Sequence, residues 1–287
     1  MFPGEYFIGV LGNRESSTFL VGGVPADGIP IASHHEMGLL CNGGIIGTCT
    51  SSRSWLKGDA MRVAVIGILE TEEGQLNVGA LGVPAVEDVE VCAPIVIVCG
   101  SSSETGKTWI SANLISAMKR QGHVVASTKV TGTGRLKDIL QHRDAGSDLS
   151  IDFPDVGLPS TYTDPTRFRK AVRTMFHRLQ SIGPDVVVAE MGGDVIWANG
   201  PTFLLDSQIA KRIVFAIIAA NDVMGAIACA TTLREHNVKC RTWIALPLRN
   251  NEGSRHRIRA TLGNECFDTM SREDYEACGR EVAAIVE

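Results

Sequence analysis

Apolar and polar positions fall into two textures along the chain. Over residues 1–92 the apolar runs are short, rich in β-branched residues and broken by glycines and polar turns; they occupy 6–11, 18–24, 44–48, 62–69 and 76–81. Runs of this kind predict strands, and the one helix-like piece lies around 34–40. The expectation is a small, mostly antiparallel β-rich domain over residues 1–92. The acidic stretch 85–92, with Glu87, Asp88 and Glu90, is its linker.

From residue 93 the texture changes. Residues 95–99 are wholly apolar, the mark of a strand buried on both faces. A helix is predicted over 108–121, closed by Gly122, and a strand over 123–127. Asp164 as N-cap and Pro165 at the first helical position open a helix running to 181. On that helix Phe168, Val172, Met175, Phe176 and Leu179 form one apolar stripe. Arg167, Arg169, Lys170, Arg173 and Arg178 fall mostly elsewhere and read as a solvent face. Strands at 185–189, 213–219 and 241–246 and helices at 223–236 and 272–286 continue the alternation. The fold class expected over 93–287 is therefore α/β, with a mainly parallel sheet joined by right-handed crossovers.

Composition narrows the function. With 44% hydrophobic residues in 287, the chain can bury a sizeable core, which excludes a disordered protein. A net charge of −5 gives no footprint for nucleic acid or an anionic membrane. The longest strongly apolar run, 213–220, is far short of the about 20 residues a membrane span needs. The N-terminus has no basic, apolar signal pattern. Eight cysteines without a CxxC pair read as a reduced, cytoplasmic protein, with Cys92, Cys99 and Cys229 as small buried hydrophobes.

The candidate chemistry begins where the first buried strand ends. Residues 99–108 read Cys-Gly-Ser-Ser-Ser-Glu-Thr-Gly-Lys-Thr, and a helix follows at once. A glycine-rich turn between a buried strand and a helix N-terminus gathers backbone N–H groups on one spot and so binds phosphate. Gly100, Ser103, Glu104, Thr105, Gly106, Lys107 and Thr108 are the expected nucleotide-binding residues. Lys107 would reach the β- and γ-phosphates and the Thr108 hydroxyl Mg²⁺. Five residues rather than the usual four separate Gly100 from Gly106. Two further loops leave predicted strands with glycines, at Gly132–Gly134 and Gly192–Gly193, so part of the 30-residue glycine content lies in loops that open sheets use for ligands.

The spacing of this loop resembles that of the dethiobiotin synthetase class of P-loop proteins, which also carries Glu at the position of Glu104. In that class the next strand ends in a lysine, here Lys129, directed at phosphates and substrate. A later strand ends in a glutamate, here Glu190, that binds Mg²⁺. Ser102 stands where those enzymes have an aspartate, and the β-rich domain has no counterpart there. The layout also resembles the D-glutamate N-acetyltransferase family, with Thr131-Gly132-Thr133-Gly134, Asp152-Phe153 and Glu190-Met191-Gly192 in matching order. These resemblances imply ATP and Mg²⁺ as cofactors, Lys107, Lys129 and Glu190 as the catalytic set, and Thr108 and Glu190 as metal ligands. They further imply a small-molecule substrate and a homodimer.

The polar stretch after 133 reads as a substrate loop, with Thr131, Thr133, Arg135 and Asp152 as substrate contacts; Arg135 suits a carboxylate or phosphate. Asn250, after the last strand, is an expected base-reading amide, with Asn251 and Arg249, Arg255, Arg257 and Arg259 nearby. His34, His35 and Glu36 read as structural residues. The function expected is Mg·ATP-dependent activation of a small carboxylate- or amine-bearing metabolite, followed by ligation or cyclisation. Two alternatives stay open: an acyltransferase gripping coenzyme A with the same loop, and a nucleotide-operated switch or metallochaperone.

Overall fold

The computed structural model describes residues 2–16, 19–29, 35–52, 60–86, 89–247 and 252–286. The β-rich region comes first. Its strands are β1 (Val10–Leu11), β2 (Val21–Gly23), β3 (Glu36–Leu39), β4 (Ile45–Ser51) and β5 (Met61–Ala64), in the order β1-β4-β3-β5 with β2 also on β4. All pairs are antiparallel except β1 with β4. A hairpin of β6 (Glu70–Thr71) and β7 (Gly74–Gln75) and a short helix α1 (Val78–Leu81) follow. The core of this region is small: Leu40, Cys41, Ile45 and Ala60.

The second part is a sheet of seven strands among the described residues, every pair parallel. In chain order its elements are β8 (Ile95–Gly100), α2 (Lys107–Arg120), β9 (Val125–Thr131), α3 (Leu136–Asp144), β10 (Leu149–Asp152), α4 (Pro165–Leu179), β11 (Val186–Met191), α5 (Gly200–Leu204), α6 (Ser207–Ala210), β12 (Ile213–Ala219), α7 (Val223–Glu235), β13 (Arg241–Leu246), α8 (Glu252–Leu262), β14 (Glu265–Asp268) and α9 (Arg272–Val286). The spatial order is β10-β9-β11-β8-β12-β13-β14. The central β8, β9 and β11 are buried along their whole length, as parallel strands covered by helices on both faces must be. Val96, Val98, Val188 and Ile217 pack beneath α2 and α9. Ile95, Ile97, Val187 and Ile218 face the other way, with the α4 stripe of Phe168, Val172, Met175, Phe176 and Leu179.

Several sequence expectations need correction. Residues 36–39 form a strand rather than a helix, because pairing with both β4 and β5 overrides the helix preference of Met37 and Leu39. Residues 78–81, expected as part of a strand, form α1, capped by the Asn77 side chain on Gly79 N–H at 2.8 Å. The stretch expected as a linker is anchored: Val89 and Val91 are buried in the sheet core, and Cys92 N–H bonds the Gln180 side chain. Cys99 and Cys229 are buried, whereas Cys92 is exposed. The basic side of α4 is not all solvent face, since Arg173 pairs with the buried Asp206 at 3.0 Å. The polar stretch after 133 holds α3 and β10 rather than an open loop.

Phe176 is fully buried and stacks on Phe203 with ring centroids 6.2 Å apart. Phe176→Ala should cost about 3–5 kcal/mol in urea denaturation, the penalty for a large core cavity. A loss below about 1 kcal/mol would mean that α4 does not pack as described.

Candidate functional site

The loop between β8 and α2 turns at Gly106, whose φ of 88° and ψ of 14° lie in the left-handed region natural to glycine. Lys107 therefore begins α2 and lies buried. Its Nζ donates to the carbonyls of Ser102 and Gly193, each at 2.7 Å, so it ties the loop to the end of β11. Burial lowers its pKa, partly offset by Glu190. On the next residue the Thr108 hydroxyl donates to Glu190 Oε1 at 2.8 Å.

Sheet register gathers the other charged groups. Asp152 on β10 partners Lys129 on β9, Lys129 partners Glu190 on β11, and Glu190 partners Val98 on β8. Directly opposed residues of a parallel pair share a face. Val98 packs beneath α2, so the two acids and the lysine also point to the α2–α3 side. Lys129 forms an ion pair with Asp138 of α3. Burial alone would lower the Lys129 pKa, but Glu190, Asp138 and Asp152 outweigh it and raise it. Burial also works to raise the Glu190 carboxyl. A hydrogen bond from His142 Nε2 at 3.2 Å and the charge of Lys129 overcome it, holding the group at about 2. Glu190 is thus an ionised carboxylate inside the fold.

The expected residues sort into two sets. Ser103, Glu104, Gly106, Lys107, Thr108, Lys129, Thr133, Arg135 and Glu190 line one cavity of about 270 Å³. Gly100, Thr105, Thr131 and Asp152 lie in the framework behind it: Thr105 donates to Ser102 O at 3.3 Å and Thr131 to Gly192 O at 3.0 Å. Asp152 accepts from Phe153 N–H at 2.7 Å and caps a short 3₁₀ turn, Phe153–Val156. Gly192 sits so close to β9 that a Cβ there would lie 2.4 Å from Thr131 O. Asn250, Asn251 and Arg249 lie outside the described residues. Arg255 binds Asp274 at 3.2 Å and Arg259 binds Glu265 at 3.3 Å, both within the β14 edge of the fold. Glu36 is exposed beside Arg62, and His34 is outside the described residues.

Sequence reasoning missed His142 and the contribution of Arg14, Glu15, Ser16 and Phe19. His142 has no exposed side-chain surface, and its Nδ1 has no hydrogen-bond partner among the described residues. Its available signal was a histidine three residues after Ile139 on the buried stripe of α3. Arg14, Glu15, Ser16 and Phe19 line the same cavity as Lys107. Tyr162, which donates to Glu15 O at 2.6 Å, joins them. Beyond Glu15 and Tyr162 the surface opens into a second, polar cavity of about 660 Å³ that includes Asp164, Trp197 and Asn199. Its described lining holds two acids, Glu15 and Asp164, and neither lysine nor arginine.

Strand, loop and helix together make this a P-loop fold of the mainly parallel α/β kind, preceded by a β-rich region. No known family matches the chain, and no curated protein matches it. Among solved structures it is similar to the hydrogenase maturation factor HypB from Archaeoglobus fulgidus, at 15% identity over 68% of this chain and 91% of that one, TM-score 0.45. It is also similar to the cell division protein FtsY from Thermotoga maritima, at 20% identity over 67% and 70%, TM-score 0.45. MinD in the MinC:MinD complex of Aquifex aeolicus is a third, at 14% identity over 65% and 86%, TM-score 0.42. Likenesses this distant leave the function to be argued from the chain's own geometry.

Asp152 provides a test of the buried charge arrangement. Burial raises its carboxyl to about 7 from an ordinary 3.8, although Lys129 pulls the other way. An acid raised in the folded state stabilises fully below its unfolded pKa and loses that contribution as pH rises through the folded one. Asp152→Asn keeps the acceptor for Phe153. Its stability relative to wild type should therefore rise by on the order of a few kcal/mol between 3.8 and about 7. Glu190, depressed to about 2, acts in a separate window below 4.5. Parallel pH–stability curves for wild type and D152N would contradict the arrangement.

Proposed function

We propose that residues 93–287 bind a nucleoside triphosphate, ATP by preference, with Mg²⁺. We further propose that the protein uses it to activate a small carboxylate- or amine-bearing metabolite by phosphoryl transfer. The observation that carries this reading is the 2.8 Å hydrogen bond between Thr108 and an ionised Glu190, directly beside the buried Lys107. A hydroxyl at the first turn of the loop helix and a carboxylate at the end of the adjacent strand suit Mg²⁺. That ion takes one or two protein ligands and completes its shell with phosphate oxygens and water. Bound there, the ion would neutralise charge on the phosphate oxygens.

The chain's own residues supply the rest. Lys107 would exchange the Ser102 and Gly193 carbonyls for phosphate oxygens, which offer a stronger, charge-assisted bond. Lys129 holds Glu190 ionised and faces the same cavity. His142 orients Glu190 from behind through Nε2. The β-rich region, 1–92, is proposed as the substrate-side unit. The acceptor would enter through the larger cavity, whose Glu15 and Asp164 favour an amine over an anion. Catalysis of this kind is positioning and electrostatics and requires no nucleophilic side chain. The loop spacing and the Lys129 and Glu190 positions support the dethiobiotin-synthetase-like reading over a nucleotide switch.

Calorimetry with ATP, GTP and acetyl-coenzyme A, each with and without Mg²⁺, tests the proposal. ATP should bind more tightly with Mg²⁺, and Glu190→Gln should remove that dependence. Lys107→Ala should weaken ATP by about 10- to 100-fold, the loss of a charged hydrogen-bond donor. Tight coenzyme A binding indifferent to Mg²⁺ would overturn the reading in favour of acyl transfer, and full ATP affinity in K107A would overturn the loop's role.

A further inference from the structure

Among the described residues, the β-rich region reaches the phosphate cavity through Arg14, Glu15, Ser16 and Phe19. Arg14 is fixed there by a two-way backbone bridge with Gly22, Arg14 N–H to Gly22 O at 2.8 Å and Gly22 N–H to Arg14 O at 3.0 Å. Its guanidinium donates through Nη1 to the Leu40 carbonyl and lies 5.3 Å from the centroid of the Phe19 ring. Arg135, from the loop after β9, places its own guanidinium 5.7 Å from the same centroid. Both arginines line the cavity that holds Lys107 and Lys129.

Two guanidiniums on one ring repel each other, and burying Arg14, which is 5% exposed, adds a desolvation cost. Neither makes an ion pair with any described residue. The other cations of the cavity differ. Lys129 is surrounded by Glu190, Asp138 and Asp152, so its charge is already balanced within the fold. Lys107 is engaged with loop carbonyls next to Glu190. Lys137, also on the lining, is exposed to solvent, so among the described residues the buried and half-buried positive charge without an acid partner is that of Arg14 and Arg135. A fork-shaped cation without an acid partner is the geometry that takes a phosphate or carboxylate bidentately. The cavity, about 270 Å³, lies below the ~300–1,000 Å³ of whole-ligand pockets and suits the charged tail of a nucleotide rather than all of it.

We propose that Arg14 and Arg135 form an anion clamp on the terminal phosphoryl group of the bound triphosphate, so that the β-rich region completes the phosphate site in cis. The proposal rests on the nucleotide reading of the loop given above. It assigns the region before β8 a chemical task, one that a P-loop domain alone would not perform here. Phe19 serves as the platform that holds the two guanidiniums together through cation–π contact.

The test uses the full chain, the variants Arg14→Gln and Arg135→Gln, and calorimetry with Mg·ADP and with the Mg complex of a non-hydrolysable ATP analogue. Each variant should bind ADP as wild type does and the triphosphate analogue about 10-fold or more weakly. Equal weakening of both nucleotides, or analogue affinity unchanged in both variants, would overturn the clamp. If wild type binds neither nucleotide, the nucleotide reading itself fails, an outcome distinct from loss of the clamp alone. Arg14 also supports the β-rich region through Leu40, so R14Q can affect folding. Arg135 makes no such bond, and R135Q then decides the question, with ADP affinity as the folding control.

Discussion

The structure turns on a row of buried charges at one level of the parallel sheet. Asp152, Lys129 and Glu190 are register partners on three adjacent strands, and each is at most 5% exposed. An isolated charge at such depth is costly enough that it would neutralise instead. Here the lysine offsets the acids, His142 and Thr108 bond the two oxygens of Glu190, and Asp138 reaches in from α3. Removing Lys129 would leave its acids uncompensated, and the contacts it and Glu190 make tie together β9, β11, α2 and α3. That arrangement leaves Glu190 ionised beside Lys107 and Thr108.

The neighbouring loops follow from the same level of the sheet. The segment after β9 returns over the strand ends, where Gly132 N–H donates to the Thr161 hydroxyl oxygen at 2.8 Å and Thr161 in turn donates to Ala198 O at 2.7 Å. Tyr162, next in the chain, meets the β-rich region: it donates to Glu15 O, and its own carbonyl accepts from Asn13 at 3.0 Å. Gly43 packs against Gly134 so closely that a Cβ would overlap its carbonyl. The two cavities therefore share walls, Glu15 and Tyr162, drawn from both halves of the chain.

How much of this was legible in the sequence depended on how local each signal is. The loop of residues 100–108 announces itself because strand, glycines, lysine and helix are consecutive, and Lys129 and Glu190 stand out as charges ending apolar strands. The expected strands 95–99, 185–189 and 213–219 follow from apolar runs rich in β-branched residues and match the buried strands β8, β11 and β12 to within two residues at either end. By contrast, α3 buries only Ile139 and His142, and β10 is a four-residue edge strand, so neither carries a periodic signal strong enough to separate it from a loop. His142 and Arg14 become visible only through tertiary contacts, the first with a strand 48 residues away and the second with Leu40 and Arg135. The strand β3 is not legible in the sequence, because its pairing partners, not its residue types, decide its conformation.

On the proposed reading, the loop, Lys107 and the Thr108–Glu190 pair form one nucleotide–metal site. The most direct measurement is a crystal structure of the protein with Mg²⁺ and a non-hydrolysable ATP analogue. In that complex Lys107 Nζ should be released from the Ser102 and Gly193 carbonyls onto phosphate oxygens, with Thr108 and Glu190 turned from each other toward the ion. A structure with the analogue bound elsewhere, or with Lys107 still on both carbonyls, would contradict it.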